Sequence, residues 1–164
     1  MSVKASSFLP RTKSKSVFVL AMASYAFAAD SLVRTIANAF GAQRPQPGAF
    51  LRHGYPTLEV ISLLLVAPLI ESLFLLGMIE LLRWLRSPVW LQLILPATIS
   101  AALHVPVSHA LAVAPAWFIM ASAYLMWRRA SRTISFVIIA SIHALLNLYP
   151  AIQAITYTVN HANA

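Results

Sequence analysis

Four residues in this chain pair a reactive side chain with surroundings where such a side chain is costly to keep. Glu71 sits in the run Leu63–Ile79, whose only other polar residue is Ser72. His104 sits in the apolar stretch Ile99–Val107, and His143 and Asn147 share the segment Ser141–Asn147. Spacing of four puts His143 and Asn147 on one face of a helix. A carboxyl, two imidazoles and an amide are the parts needed to hydrolyse a peptide bond. Glu71 can take a proton from water, and His104 can hold that water and pass a proton on. His143 and Asn147 can donate hydrogen bonds to the tetrahedral oxyanion. No cofactor is needed for this. Glu71, His104 and His143 also form a His2Glu zinc set, but a zinc hydrolase of that kind needs a further carboxylate as base, and no second acid lies in these runs. A bland role stands beside the chemical one, since a buried His or Asn can simply bond a neighbouring helix.

Whatever positions these residues does so in lipid. The chain is 60% hydrophobic and 10% charged, against about 45–50% and about 25% for a soluble domain. A spanning helix takes about 20 mostly apolar residues. Five candidates follow: Ser16–Phe40, Thr57–Leu85, Pro88–Val113, Pro115–Trp127 and Thr133–Val159. The expected fold is an all-α, polytopic transmembrane bundle of about five helices. The expected division is a basic tail (1–15), a first transmembrane helix (16–40), an external loop (41–56), a catalytic helix core (57–159) and a C-terminal tail (160–164). Counted in along each helix, Glu71, His143 and Asn147 fall near mid-membrane and His104 somewhat nearer the outer side. With no cysteine in the chain, disulfides, thiolate metal sites and a cysteine nucleophile are excluded.

The net charge of +8 belongs to topology rather than to nucleic acid. Lys4, Arg11, Lys13 and Lys15 precede the first helix, Arg83 and Arg86 follow the second, and Arg128, Arg129 and Arg132 lie before the last. Only Arg44 and Arg52 fall on the other side. The positive-inside rule then predicts a cytoplasmic N-terminus and an external C-terminus. Basic residues ahead of Val17–Ala29, with Ala26-Phe27-Ala28 as a small-residue site, also fit a signal peptide ending near residue 28. Either way residues 41–56 lie outside.

Other polar residues read more simply. Asp30 and Arg34 are four apart and neutralise each other, and Glu80 pairs with Arg83 at i,i+3. His109 is expected in a solvated external turn, and His53 and His161 in loop and tail. Trp84, Trp90, Trp117 and Trp127 are expected at helix ends, as an interfacial belt.

The ordered set Glu71-Ser72-Leu73-Phe74-Leu75-Leu76, then Ser100-Ala101-Ala102-Leu103-His104, then His143-Ala144-Leu145-Leu146-Asn147 resembles the CPBP family of intramembrane proteases (CAAX proteases and bacteriocin-processing enzymes). That family's pattern is Glu-Glu-x-x-x-Arg, Phe-x-x-x-His and His-x-x-x-Asn/Asp on successive helices. The resemblance spans residues 57–158. It implies that Glu71 and His104 act on the water and that His143 and Asn147 bind the oxyanion. It also implies a membrane-associated peptide or protein as substrate. The short chain resembles the bacterial branches, which implies an inner-membrane location. Ser72, Leu76 and Ser100 depart from the pattern where the second Glu, the Arg and the Phe would stand. These departures leave room for a catalytically degenerate member serving as an immunity or scaffold protein. His104 and His143 as axial ligands of a haem are a further alternative.

Overall fold

Almost every described residue belongs to a helix of near-bilayer length. The structure is a computed structural model and describes residues 14–40, 56–104 and 107–162. The basic residues Lys4, Arg11 and Lys13, the loop residues Arg44, Arg52 and His53, Pro106 and the side chain of His161 lie outside the described set. The elements are α1 (Lys15–Ala39), α2 (Pro56–Ile61), a π-helical turn (Ser62–Val66), α3 (Ala67–Trp84), α4 (Val89–Ala102), α5 (Val107–Trp127) and α6 (Arg132–Ala162). α2, the π turn and α3 run on without a break, because Ile61, Val66 and Ala67 all keep helical dihedrals. The described residues thus form an all-helical bundle of five helices with no strand. Four of the five are long and apolar enough to cross a membrane: Lys15–Ala39, Thr57–Trp84, Val107–Trp127 and Arg132–Tyr157. The chain is built as an integral membrane protein.

The third and fourth spans expected from the sequence are corrected. α4 ends at Ala102 and α5 begins at Val107, so the division does not fall beside Ala114, and Pro115 lies inside α5. Helix α4 has only 14 residues, about 21 Å of rise against a hydrocarbon core of about 30 Å. It therefore ends part of the way across. His104 is not inside a helix but one residue beyond the α4 C-cap, Leu103.

Sequence explains the helix ends. Ser14 caps α1, its hydroxyl accepting from the Val17 N–H at 3.4 Å. At the end of α3, Ser87 N–H bonds the Leu82 carbonyl and Arg86 N–H the Arg83 carbonyl, both at 2.9 Å. Arg86 takes the left-handed conformation (φ 56°) that this cap requires. Pro88 then forces an extended backbone and opens α4.

Helix α5 packs on α1, α4 and α6, while α6 also holds α2, the π turn and α3. The buried positions of α1 and α5 are rich in alanine, including Ala23, Ala26, Ala112, Ala116, Ala121 and Ala123. Small residues let helix backbones approach closely where lipid removes the hydrophobic drive between helices. Helix α1 runs unbroken through Ala26-Phe27-Ala28, and Ala26 is fully buried.

One end of the bundle is basic. The Phe18 ring stands edge-on to Trp127, centroids 5.5 Å apart, so the start of α1 meets the end of α5. Glu80 gathers the rest of that end. Its carboxylate accepts from Tyr124 Oη at 2.9 Å and Arg128 Nη2 at 3.0 Å, and Arg132 Nη2 lies 3.3 Å away. The expected Arg83 contact exists at 3.7 Å, but these closer partners come from the end of α5, the turn after it and the start of α6. Lys15, Arg86 and Arg129 complete the basic end.

Candidate functional site

The site starts from a defect in the second span. Pro68, the second residue of α3, has no N–H to give, so the continuous helix loses a donor there. The Ala67 N–H reaches back five residues to the Ser62 carbonyl, as a π turn requires. In that register the Leu63 carbonyl would take its bond from residue 68, which is the proline. The Asn147 amide supplies the missing donor instead, with Nδ2 2.8 Å from the Leu63 oxygen. Helix α6 is thereby fixed to the π turn, and Glu71 follows two turns further on.

Helix α4 supplies the second component by ending where it does. His104 N–H bonds the Ala101 carbonyl, which leaves the Ser100 carbonyl without its i+4 donor. The His104 ring takes that place, with Nδ1 2.9 Å from Ser100 O. A carbonyl only accepts, so Nδ1 carries the proton and neutral His104 presents the lone pair of Nε2. That lone pair faces Glu71, with Nε2 3.8 Å from Oε2. From α6, His143 Nε2 lies 3.6 Å from the same Oε2. His143 is buried at 6% exposure.

Three of the four expected residues therefore converge on one carboxylate oxygen. Asn147 is placed one turn along α6, with its amide committed to Leu63. Both His contacts exceed hydrogen-bonding distance. Polar atoms spaced this way suit a single water bonded to both sides. Glu71 Oε2 is itself buried with no hydrogen-bond partner among the described residues, and so is His143 Nδ1. Zinc held at about 2.0–2.2 Å would want its donors roughly 3.3–3.6 Å apart. The contacts of Glu71 Oε2, 3.6 Å to His143 and 3.8 Å to His104, lie at and just beyond that range, and among the described residues no group of three His, Cys, Asp or Glu meets the requirement for a metal.

Two residues read otherwise from the sequence belong to this neighbourhood. Trp117 is not at a helix end but buried at 2% exposure. Its indole lies edge-on to His143 (centroids 5.1 Å) and tilted to His104 (5.8 Å), so both imidazoles pack on one indole. His109 is not in a solvated turn but in the first turn of α5. Arg34 Nη2 donates to its Nδ1 at 3.2 Å, and its ring lies 5.6 Å from His104. Arg34 also bonds Asp30 at 2.7 Å, the pairing expected from their spacing. The signal for His109 was Arg34 itself, because a guanidinium has five donors and one carboxylate leaves some unserved.

The fold and this cluster define a polytopic membrane protein in which a carboxyl from α3 meets imidazoles from α6 and from just past the end of α4. No protein-family model, no curated protein and no solved structure matches the chain.

The Asn147 geometry gives a first expected result. Asn147→Ala strands the Leu63 carbonyl, so it should lower the melting temperature in detergent, with a cost of about 1–3 kcal/mol. Were the cluster a hydrolase, turnover per folded molecule should change less than about tenfold, since that bond holds the helix and not the Glu71 carboxylate. A fall of about 10²–10³ in kcat at unchanged melting temperature would return Asn147 to the oxyanion role.

Proposed function

We propose that this chain is an intramembrane endopeptidase that cleaves a membrane-associated peptide or protein tail. One observation carries the proposal: imidazole nitrogens from the end of α4 and from α6 meet at a single carboxylate oxygen within an apolar span. Intramembrane ionisable groups are functional by default, because lipid makes them costly to retain.

In the proposed mechanism a water sits between Glu71 and His104, giving one hydrogen bond to each. Both acceptors hold its protons, so its lone pair is turned toward the substrate carbonyl. Glu71 removes one proton as the oxygen attacks. His143 bears its proton on Nε2 and donates to the oxyanion that forms. Glu71 then returns the proton to the leaving amine. No metal enters this scheme. A zinc ion would take the one carboxylate as a ligand and leave no base.

The resemblance to CPBP intramembrane proteases agrees in the order and roles of Glu71, His104 and His143. Ser72, Leu76 and Ser100 set the chain apart, and they favour the second reading, a catalytically inactive immunity or scaffold protein. Comparative proteomics of membrane fractions separates the two. Cells carrying wild-type protein should contain a membrane-associated protein shortened at one terminus, and cells carrying Glu71→Gln should contain it uncut. Identical termini in both would leave the scaffold reading standing. A Soret band in the purified protein would replace both with a haem protein.

For location we propose a bacterial inner membrane, with the basic end of the bundle in the cytoplasm. Reporters fused at Ala164 and within residues 41–55 should both signal from outside. A cytoplasmic signal at Ala164 would overturn this orientation.

A further inference from the structure

Hydrolysis within a bundle consumes water, and a lipid-embedded bundle excludes it. One face of α4 departs from the apolar rule. Gln92, Pro96 and Ser100 follow each other at intervals of four, which stacks them on one side of α4, and His104 follows just past its end. Gln92, Pro96 and Ser100 are all buried, whereas Ile94, Leu95 and Ile99 on the same helix point outward. Gln92 lies within the first turn of α4, at the basic end, and His104 is at the site.

This face is short of hydrogen bonds. Gln92 gives Nε2 to the Ser87 carbonyl at 2.6 Å, but its Oε1 is buried without a partner among the described residues. Pro96 withholds the N–H that the Gln92 carbonyl would use. Ser100 Oγ is buried and unpartnered, as is Ser72 Oγ on the adjoining helix α3. Glu71 Oε2 and His143 Nδ1, at the far end, are in the same condition. An unpaired buried polar atom costs about 1–3 kcal/mol, and ordered water is the usual remedy. Three such atoms leading from the basic end to the two at the site mark a route and not a single position.

We infer that the Gln92–Ser100 face of α4 lines a water-filled passage from the basic end of the bundle to Glu71. It supplies the water that is consumed and gives protons a way out. The inference rests on Glu71 being the group that activates water.

The cysteine-free sequence makes the passage directly testable. Single substitutions Gln92→Cys, Ser100→Cys and Ser72→Cys are compared with the depth-matched, outward-facing Ile94→Cys and Ile99→Cys. A membrane-impermeant methanethiosulfonate is applied to sealed vesicles of each orientation in turn. The thiolate is the reacting species, and a thiol in lipid does not ionise, so Ser100→Cys should react at least about tenfold faster than Ile99→Cys. It should do so only from the basic side, with Gln92→Cys faster still. Ser72→Cys gives a second measure should Ser100→Cys fail to fold. Reaction as slow as that of Ile94→Cys and Ile99→Cys would overturn the passage. Reaction only from the opposite end, where Arg34 and His109 lie, would overturn it too. The labelling is read in Glu71→Gln protein as well as wild type. Labelling without turnover in any protein sinks the hydrolase and keeps the passage, and turnover without labelling sinks the passage alone.

Discussion

Glu71→Gln protein should fold, bind its substrate and turn it over on the order of 10⁴-fold more slowly than wild type. The amide keeps the shape of the carboxyl and its place between His104 and His143, but it cannot take a proton from water. Substrate should therefore accumulate on the variant uncut. His104→Ala should be nearly as severe, because the second acceptor for the water is lost. His143→Ala should cost about 10²–10³ in kcat with KM little changed, as expected of an oxyanion donor. Wild-type turnover should persist after exhaustive chelation. A purely structural cluster makes the opposite forecast: each substitution lowers the melting temperature, and turnover falls only with the folded fraction. Melting temperature and turnover measured on the same three variants separate the two, and full activity in folded Glu71→Gln protein would end the mechanism.

The largest loss of stability is expected from Glu80→Ala. One carboxylate here serves Tyr124, Arg128 and Arg132 from other segments as well as Arg83 beneath it. Its removal leaves Arg128, whose side chain is 23% exposed, facing like charges with no counter-ion. Breaking such a pair from one side costs on the order of 2–4 kcal/mol after allowance for its partial exposure, or roughly 5–15 °C in melting temperature. Tyr124→Phe removes one hydrogen bond and should cost about 1 kcal/mol. Turnover per folded molecule should survive both, since Glu80 lies about 13 Å along α3 from Glu71. An unchanged melting temperature in Glu80→Ala would show that this end of the bundle is held by apolar packing alone.

What could be read from sequence follows from what lipid demands of it. The spans of α1, α3 and α6 were visible because length and apolarity suffice to define them. The boundary between α4 and α5 was not, because apolar residues run with little interruption from Val89 to Trp127. Pro115 looked like a helix start, a position that proline favours, yet it sits inside α5. That one displacement moved Trp117 from the core to a helix end and His109 from a packed turn to a wet one. Glu71, His104 and His143 were legible because each is expensive where it lies. The partner of Asn147 was not, since it is a backbone carbonyl freed by Pro68. Its type is invisible in a list of side chains.

The distance along the chain between the three meeting groups also bears on how the protein is made. Glu71 and His143 stand about 70 residues apart, so at synthesis rates of about 5–20 residues per second the carboxyl enters the membrane several seconds before α6 exists. During that interval the nascent second span must hold an acid without His143 beside it, and the Leu63 carbonyl still lacks Asn147. Truncation before α6 would leave a helix with an unmatched carboxyl, the mark by which membrane quality control can tell an orphaned segment from a finished bundle. The residues that assemble the site thus come together only once α6 has joined the bundle.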